Sequence, residues 1–407
     1  MKLDYRKTIL IGFGFFAINI IWSIYNVAVP IYLKGLGLAG VTIGAIMAVD
    51  NIFALILQPV FGLLSDKTVS RYGRRMPFLL IGIPLAALSF LVIPFFRSNA
   101  FLLLTAVFAL NFFMSIFRSP TFALVPDLTP KNLRNVANGV INTMGAIGAT
   151  TAFLLGGILF RSDDAYPFAV ASGILFISVI ITYAFIKEPA APNTEPDEKE
   201  PDEKVLNSSD KKGNFLNLIF MMLAIFFWFA GYNAFETFFS TYGQAVLEID
   251  KSLTSFMLMA FSMMFIIAAI SSRFISKKYS RKKTILSGLC ILIGSFVLMI
   301  FIKNTVLLFL LLAVSGICWA LININSYPMV MEMTNSKSIG RHTGLYFFFS
   351  MVAGIISPIL YGNLKDHLGE GFLFIYSCIA FVIALFFIML VNHGETLQDS
   401  SKAVAEK

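Results

Sequence analysis

Apolar residues fall in twelve long runs along the chain, near 9–32, 41–64, 77–96, 100–124, 138–160, 166–187, 215–242, 253–275, 284–302, 305–330, 342–363 and 371–392. Each is about 20 residues long, enough for a helix to cross the ~30 Å hydrocarbon core of a bilayer. In lipid every backbone polar group must be bonded within its own segment, so helices are the default. Barrel strands would alternate over about 10 residues, whereas these runs are continuous. The pattern predicts an all-α membrane protein of twelve transmembrane helices. The first run lacks a small-residue cleavage site after a short apolar core, so it reads as a retained helix.

Composition agrees with this. The chain is 57% hydrophobic and only 13% charged, where a soluble domain is nearer 25% charged. The net charge of +8 sits in the loops and sets orientation; it is not a nucleic-acid footprint. With the N-terminus in the cytosol, the external loops hold Lys34, Arg97, Arg161, Lys251, Lys303 and Lys365. Arg118 lies within a span, and the remaining 24 of the 31 Lys and Arg are cytosolic. That excess follows the positive-inside rule. The expected location is the plasma membrane, with both termini cytosolic.

Three pairs of features recur 207 positions apart. Arg71 to Arg75 returns as Lys278 to Lys282, Tyr25-Asn26 as Tyr232-Asn233, and Arg134 as Arg341. One shared offset argues for two homologous halves, 1–187 and 214–407. Between them, 188–213 holds eight acids, four lysines and four prolines, a composition that reads as a disordered cytosolic linker. Six spans on each side with the same sense of insertion make a parallel repeat, an architecture of alternating-access carriers.

The turn after the second run is the most specific motif. Gly62 and Asp66 are followed by Lys67, Arg71, Gly73, Arg74, Arg75 and Pro77. Its arginines can bind carboxylates in bidentate fashion, and its glycines allow a tight turn and close helix approach. This turn resembles the loop between helices two and three of the major facilitator superfamily. Ser65-Asp66-Lys67 with the later Arg71, Gly73, Arg74, Arg75 and Phe78 is similar to the sucrose transporters. These stand close to the glycoside–pentoside–hexuronide:cation symporters. The likeness extends over all twelve helices and includes Pro126-Asp127, Arg134, Gly139, Arg341 and Gly344. It implies two pseudo-symmetric six-helix bundles, with helices one and seven facing each other across a cavity. It also implies that Asp66 latches the cytosolic ends, with partners near 341–344 and around Asp127 and Arg134. The expected gate is therefore Gly62, Asp66, Arg71, Gly73, Arg74, Arg75, Asp127, Arg134 and Arg341. In the echo Asp66 maps to Arg273 and Gly62 to Ala269, so the second copy keeps the charge and loses the acid.

Ionisable residues inside spans are costly and mark candidate sites. Asp50 lies sixteen residues before Asp66, about 24 Å along a helix, beside Asn51 and Gln58. It is the first choice for proton coupling, the alternative being a structural hydrogen bond. Glu236 is suited to a sugar hydroxyl, to sharing the proton, or to an interfacial place in water. Arg118, followed by Pro120 and Pro126 in a helix expected to bend, needs Asp50 or Asp127 as partner, for substrate and coupling or for a structural ion pair. Neutral polar groups predicted to line a cavity are Asn19, Trp22, Tyr25, Asn26, Asn51, Gln58, Asn111 and Asn142, then Tyr232, Asn233, Asn323 and Asn325. Asn19, Trp22 and Asn26 share one helical face. Asn323 and Asn325 share a ligand only if their helix is broken. Amides both donate and accept, which suits sugar hydroxyls; the alternative is that they join helices.

His342, His367 and His393 sit at span ends without metal spacing, and Cys290, Cys318 and Cys378 give no disulfide framework. No cofactor or metal is expected, and no glycine loop supports ATP-driven transport. The leading expectation is a monomeric proton-coupled symporter of a sugar, its partners being the substrate, protons and lipid. The alternative is a proton-driven exporter of amphipathic molecules, which the 43 Phe and 17 Met would suit. A membrane enzyme would need a catalytic acid or His cluster, and none is visible.

Overall fold

The computed structural model describes residues 4–130, 133–186, 188, 208–275, 280–333 and 339–392. They form thirteen α-helices: α1 Tyr5–Gly35, α2 Gly40–Met47, α3 Val49–Lys67, α4 Met76–Val92, α5 Ala100–Leu128, α6 Arg134–Leu159, α7 Ala165–Phe185, α8 Ser208–Val246, α9 Lys251–Ile275, α10 Arg281–Phe301, α11 Thr305–Glu332, α12 Ile339–Leu368 and α13 Leu373–Leu390. Twelve spans among the described residues are long and apolar enough to cross a membrane, α2 and α3 together making the second. Their order matches the twelve apolar runs.

Local chemistry sets several boundaries. Asp4 caps α1 by accepting from Lys7 N at 3.1 Å, and Asn304 caps α11 through Val306 N and Leu307 N. Such caps satisfy donors that the first turn leaves unbonded. α8 starts at Ser208, inside the stretch read from sequence as linker. α5 runs unbroken through Pro120 and Pro126.

The second span is interrupted at Ala48, whose N–H bonds to Gly44 O and Ile46 O. Asp50 therefore stands in the first turn of α3, in mid-span. A helix N-terminus carries partial positive charge that favours a carboxylate there.

The chain divides into two compact units, Met1–Lys199 with Thr237–Met259, and Glu200–Glu236 with Ala260–Lys407. In the first, α1 packs against α6 and α7, α4 against α5 and α7, and α3 against α5. The α1–α6 approach is close: a Cβ on Gly145 would meet Asn19 Nδ2 at 2.8 Å, and one on Gly148 would strike the Phe16 carbonyl. Small residues at such contacts let membrane helices pack by van der Waals attraction. In the second unit α10 packs against α11 and α13, and α12 touches both α11 and α13.

Candidate functional site

Between Ile11 and Leu33 of α1 the less covered positions are Phe13, Phe16, Asn19, Trp22 and Asn26, and the other residues are buried. This open stripe carries three of the four polar α1 residues singled out from sequence. Tyr25 is buried at 1% exposure and meets Trp22 edge to face at 5.4 Å. Behind them lies a polar cluster. Arg118 of α5 rests over the Trp22 ring at 5.8 Å. Its charge also interacts with that of Asp50. Tyr25 stands beside both Asp50 and Asn111.

The cluster is short of hydrogen bonds. Trp22 Nε1 and Arg118 Nε are buried without a partner, and neither Tyr25 Oη nor Asn111 Oδ1 finds a well-aligned one. Asp50 Oδ1 turns back to its neighbour, accepting from Asn51 N at 2.6 Å and Asn51 Nδ2 at 2.9 Å. Among the described residues, no ion pair within 4.0 Å joins Asp50 to Arg118. An unsatisfied buried polar atom costs about 1–3 kcal/mol, so the Trp22 and Arg118 nitrogens mark a polar site built for more than packing. Arg118 is thus drawn to Asp50 and Trp22, and Asp127 has other partners. Gln58 and Asn142 stay outside: among the described residues neither side chain makes a hydrogen bond, and Asn142 is exposed.

In the second unit, the less covered positions of α8 include Phe226, Phe229, Tyr232, Asn233 and Glu236. Phe226, Phe229 and Asn233 stand 207 residues after Asn19, Trp22 and Asn26, whereas Tyr232 and Glu236 correspond to the buried Tyr25 and Val29. Tyr232 stacks on Trp319 at 4.2 Å and 10°, and hydrogen-bonds with Glu236 one turn on. Phe229 meets Trp319 edge to face at 5.5 Å, and Phe261 flanks Tyr232 at 6.0 Å. Asn323 and Asn325 lie on an unbroken α11, and Asn325 is buried in its unit at 1% exposure. Five of the amides bond within their own helices. Asn19, Asn111, Asn233, Asn323 and Asn325 each donate Nδ2 to the carbonyl four residues back, at 2.7–2.9 Å. Spacing along a helix does not reveal this choice, because a short polar side chain always has its own backbone within reach.

The 62–77 turn is organised around Arg75, 4% exposed. Its guanidinium pairs with Asp66 and with Asp127 Oδ2 at 3.1 Å, and donates to Ser65 Oγ at 2.5 Å. Arg74 reaches the same Asp127 oxygen at 3.0 Å. Gly62 packs on Ser119, where a Cβ would come to 2.8 Å from Oγ. Arg71 lies over the Tyr72 ring and is exposed. Arg134, expected among the partners of Asp66, instead donates to Thr129 O at 3.3 Å and Pro126 O at 3.1 Å. Carbonyls at the end of α5 carry partial negative charge and lie within its reach. Arg341 is exposed and, among the described residues, makes no ion pair.

Several contributors were missed from sequence. Glu188, assigned to the linker, has a fully covered side chain. It accepts from Arg75 N at 3.0 and 2.9 Å and from Met76 N at 3.4 Å, so a carboxylate caps α4. Gly73 makes room for it: φ is +107°, and a Cβ there would strike Glu188. The second copy of the turn has no acid of its own, but one reaches it from α11. Arg281 pairs with Glu332 at 2.8 Å, as Arg74 does with Asp127, while Lys282 donates to Val391 O at 2.5 Å. Glu332 does not fall at the 207 offset, so the repeat alone gives no signal for it. The side chain of Arg273 lies outside the described residues.

At the opposite end of the helices a second charge cluster joins Arg97, Asp164 and Lys251. Among the described residues no group of His, Cys, Asp and Glu is arranged to hold a metal ion.

The sequence model of the Major Facilitator Superfamily matches residues 11–358. The sucrose transport protein SUC3 of Arabidopsis thaliana is 24% identical over 230 residues, 47% of this chain and 39% of that protein. The multidrug resistance protein MdtG of Rahnella sp. is 26% identical over 204 residues, 48% of this chain and 47% of that protein. The chain thus spans less than half the length of these curated relatives. Among solved structures, the nucleoside transporter NupG superposes with a TM-score of 0.73 at 16% identity, covering 95% of this chain and 99% of that one. An inward-facing bacterial homologue of the human lysosomal transporter Spinster gives 0.73 at 12% identity, covering 96% and 97%. The fold is shared with transporters, the family model covers most of the sequence, and this chain belongs to the Major Facilitator Superfamily.

Proposed function

We propose that the chain is a proton-coupled symporter of a sugar, a disaccharide or glycoside, working by alternating access as a monomer in the plasma membrane with its termini in the cytosol. The observation that carries this reading is the open α1 stripe of Asn19, Trp22 and Asn26, backed by the unsatisfied nitrogens of Trp22 and Arg118. Amides and an aromatic face suit a pyranose, which presents hydroxyls at its rim and C–H groups on its faces. Asp50 is the proton carrier in this scheme: a carboxylate at mid-span costs little when neutral, and its charge is felt by Arg118. Glu236, paired with Tyr232, binds substrate in the second unit. The similarity to the sucrose transporter supports the sugar.

Export of amphipathic molecules is the second reading. It is favoured by the aromatic group of Phe229, Tyr232, Phe261 and Trp319 and by the similarity to MdtG. Uptake of labelled disaccharides into right-side-out and inverted vesicles, with an imposed pH gradient, decides between them. Symport predicts gradient-driven accumulation in right-side-out vesicles that unlabelled sugar abolishes. Transport blind to every sugar but driven outward for lipophilic cations would replace it with export.

A further inference from the structure

Asp164, which precedes α7, receives Lys251 Nζ on both carboxylate oxygens at 2.6 Å and also pairs with Arg97. Lys251 opens α9, and its ammonium lies 4.6 Å from the centre of the Tyr32 ring of α1 and 5.7 Å from that of Phe160. One residue on, Ser252 donates to Gly157 O and accepts from Arg161 Nε at 3.1 Å. Packing is close here: a Cβ on Gly157 would stand 2.7 Å from the Phe256 ring. All of these residues belong to the first compact unit.

We propose that Asp164, Lys251 and Arg97 are positioning residues of the transport cycle, a breakable charge clamp that holds the start of α9 against α1, α6 and α7 and shuts the external mouth. An apolar seam would be hard to open repeatedly. A partly wet ion pair suits the task, because on opening the charges regain the hydration they had surrendered. Asp164 and Lys251 keep 19% and 18% of their side-chain surface exposed. A cavity of about 660 Å³ lined by Tyr32, Lys34, Arg97, Asp164, Gln244 and Lys251 brings water to them. The clamp rests on the orientation proposed above and on neither the sugar nor the proton.

The test is the rate at which a membrane-impermeant thiol reagent modifies a cysteine placed below the clamp. Ser240 is 1% exposed and its Oγ lies 3.4 Å from Asn26 O, so Ser240→Cys in a background lacking Cys290, Cys318 and Cys378 is a conservative probe. Asp164→Asn and Lys251→Gln are expected to speed modification from outside by about fivefold or more, the lower range of a typical coupling. Lys251→Arg should keep the slow rate. In the unmutated clamp, raising external salt from about 10 mM to about 1 M, which shortens the Debye length from ~30 Å to ~3 Å, should also speed it. Acceleration seen only in inverted vesicles would leave the clamp standing and reverse the orientation. Unchanged rates in both variants, with the thiol fully reactive after unfolding, would overturn the clamp. So would an Arg variant as fast as the Gln variant, or a salt-independent rate, which needs no variant to fold.

Discussion

The guanidinium of Arg118 lies 5.8 Å from the centre of the Trp22 ring, and its Nε is buried without a hydrogen bond. A planar cation on an aromatic face is not replaced by a compact ammonium. Arg118→Lys should therefore cut initial uptake by about tenfold or more, the loss of roughly 1.4 kcal/mol or greater in the transition to transport. Trp22→Phe, which keeps a ring, should fall between the two. Equal rates for Arg118→Lys and the parent would remove the pair from the substrate path.

Asp50→Asn separates movement from coupling. The variant keeps the two hydrogen-bonding positions that Asn51 uses but has no proton to give up. It should lose pH-driven accumulation while retaining exchange of labelled for unlabelled substrate. Accumulation that survives the change would assign the proton to another group, with Glu236 the next to test.

Arg75 is the anchor of its turn, so its removal should be felt in stability before transport. Truncating a buried charged group strands its partners, at about 3–5 kcal/mol. Arg75→Ala should unfold well below the parent in a thermal melt in detergent. Asp127→Asn leaves Arg75 its contacts to Asp66 and Ser65 and should cost less, about 1–3 kcal/mol. An Arg75→Ala protein as stable as the parent would contradict the geometry.

Gly73 and Glu188 should be coupled. Gly73→Ala imposes a side chain at φ +107° and drives it into Glu188, with backbone strain of about 1–3 kcal/mol. Glu188→Ala alone uncaps α4. The double variant should be less unstable than the two losses added together, because the contacts with the carboxylate go and only the one with the residue-188 Cβ, at 2.8 Å, remains. Additive losses in chemical or thermal unfolding would show that the two do not meet.

The twelve spans were legible because run length alone dictates them, whatever packs against what. The repeat was read from Tyr25-Asn26 and its echo, and the less covered Asn19, Trp22 and Asn26 of α1 have less covered counterparts in Phe226, Phe229 and Asn233 of α8. Asp50 and Arg118 stood out because charge is scarce in spans. The break at Ala48 was not legible, since no Pro or Gly lies between Ala45 and Asn51 to announce it. Glu332 went unnoticed because an acid two residues out of register can meet the same arginine. The Arg97, Asp164 and Lys251 cluster joins residues 67 and 87 apart, a pairing that no local pattern encodes. Glu188 was hidden by its neighbours, for proline and mixed charge after it made the whole stretch read as linker.

That carboxylate also fixes where the connecting strand is made fast. From Glu188 to Ser208, where α8 begins, the chain spans roughly 70 Å at full stretch. Its near end is moored by Arg75 and the start of α4, not left hanging from the last turn of α7. Glu188 thus ties the exit from α7 to the seat of Arg75. Through Arg75, the exit of α7 and the Asp66 turn share one fastening point.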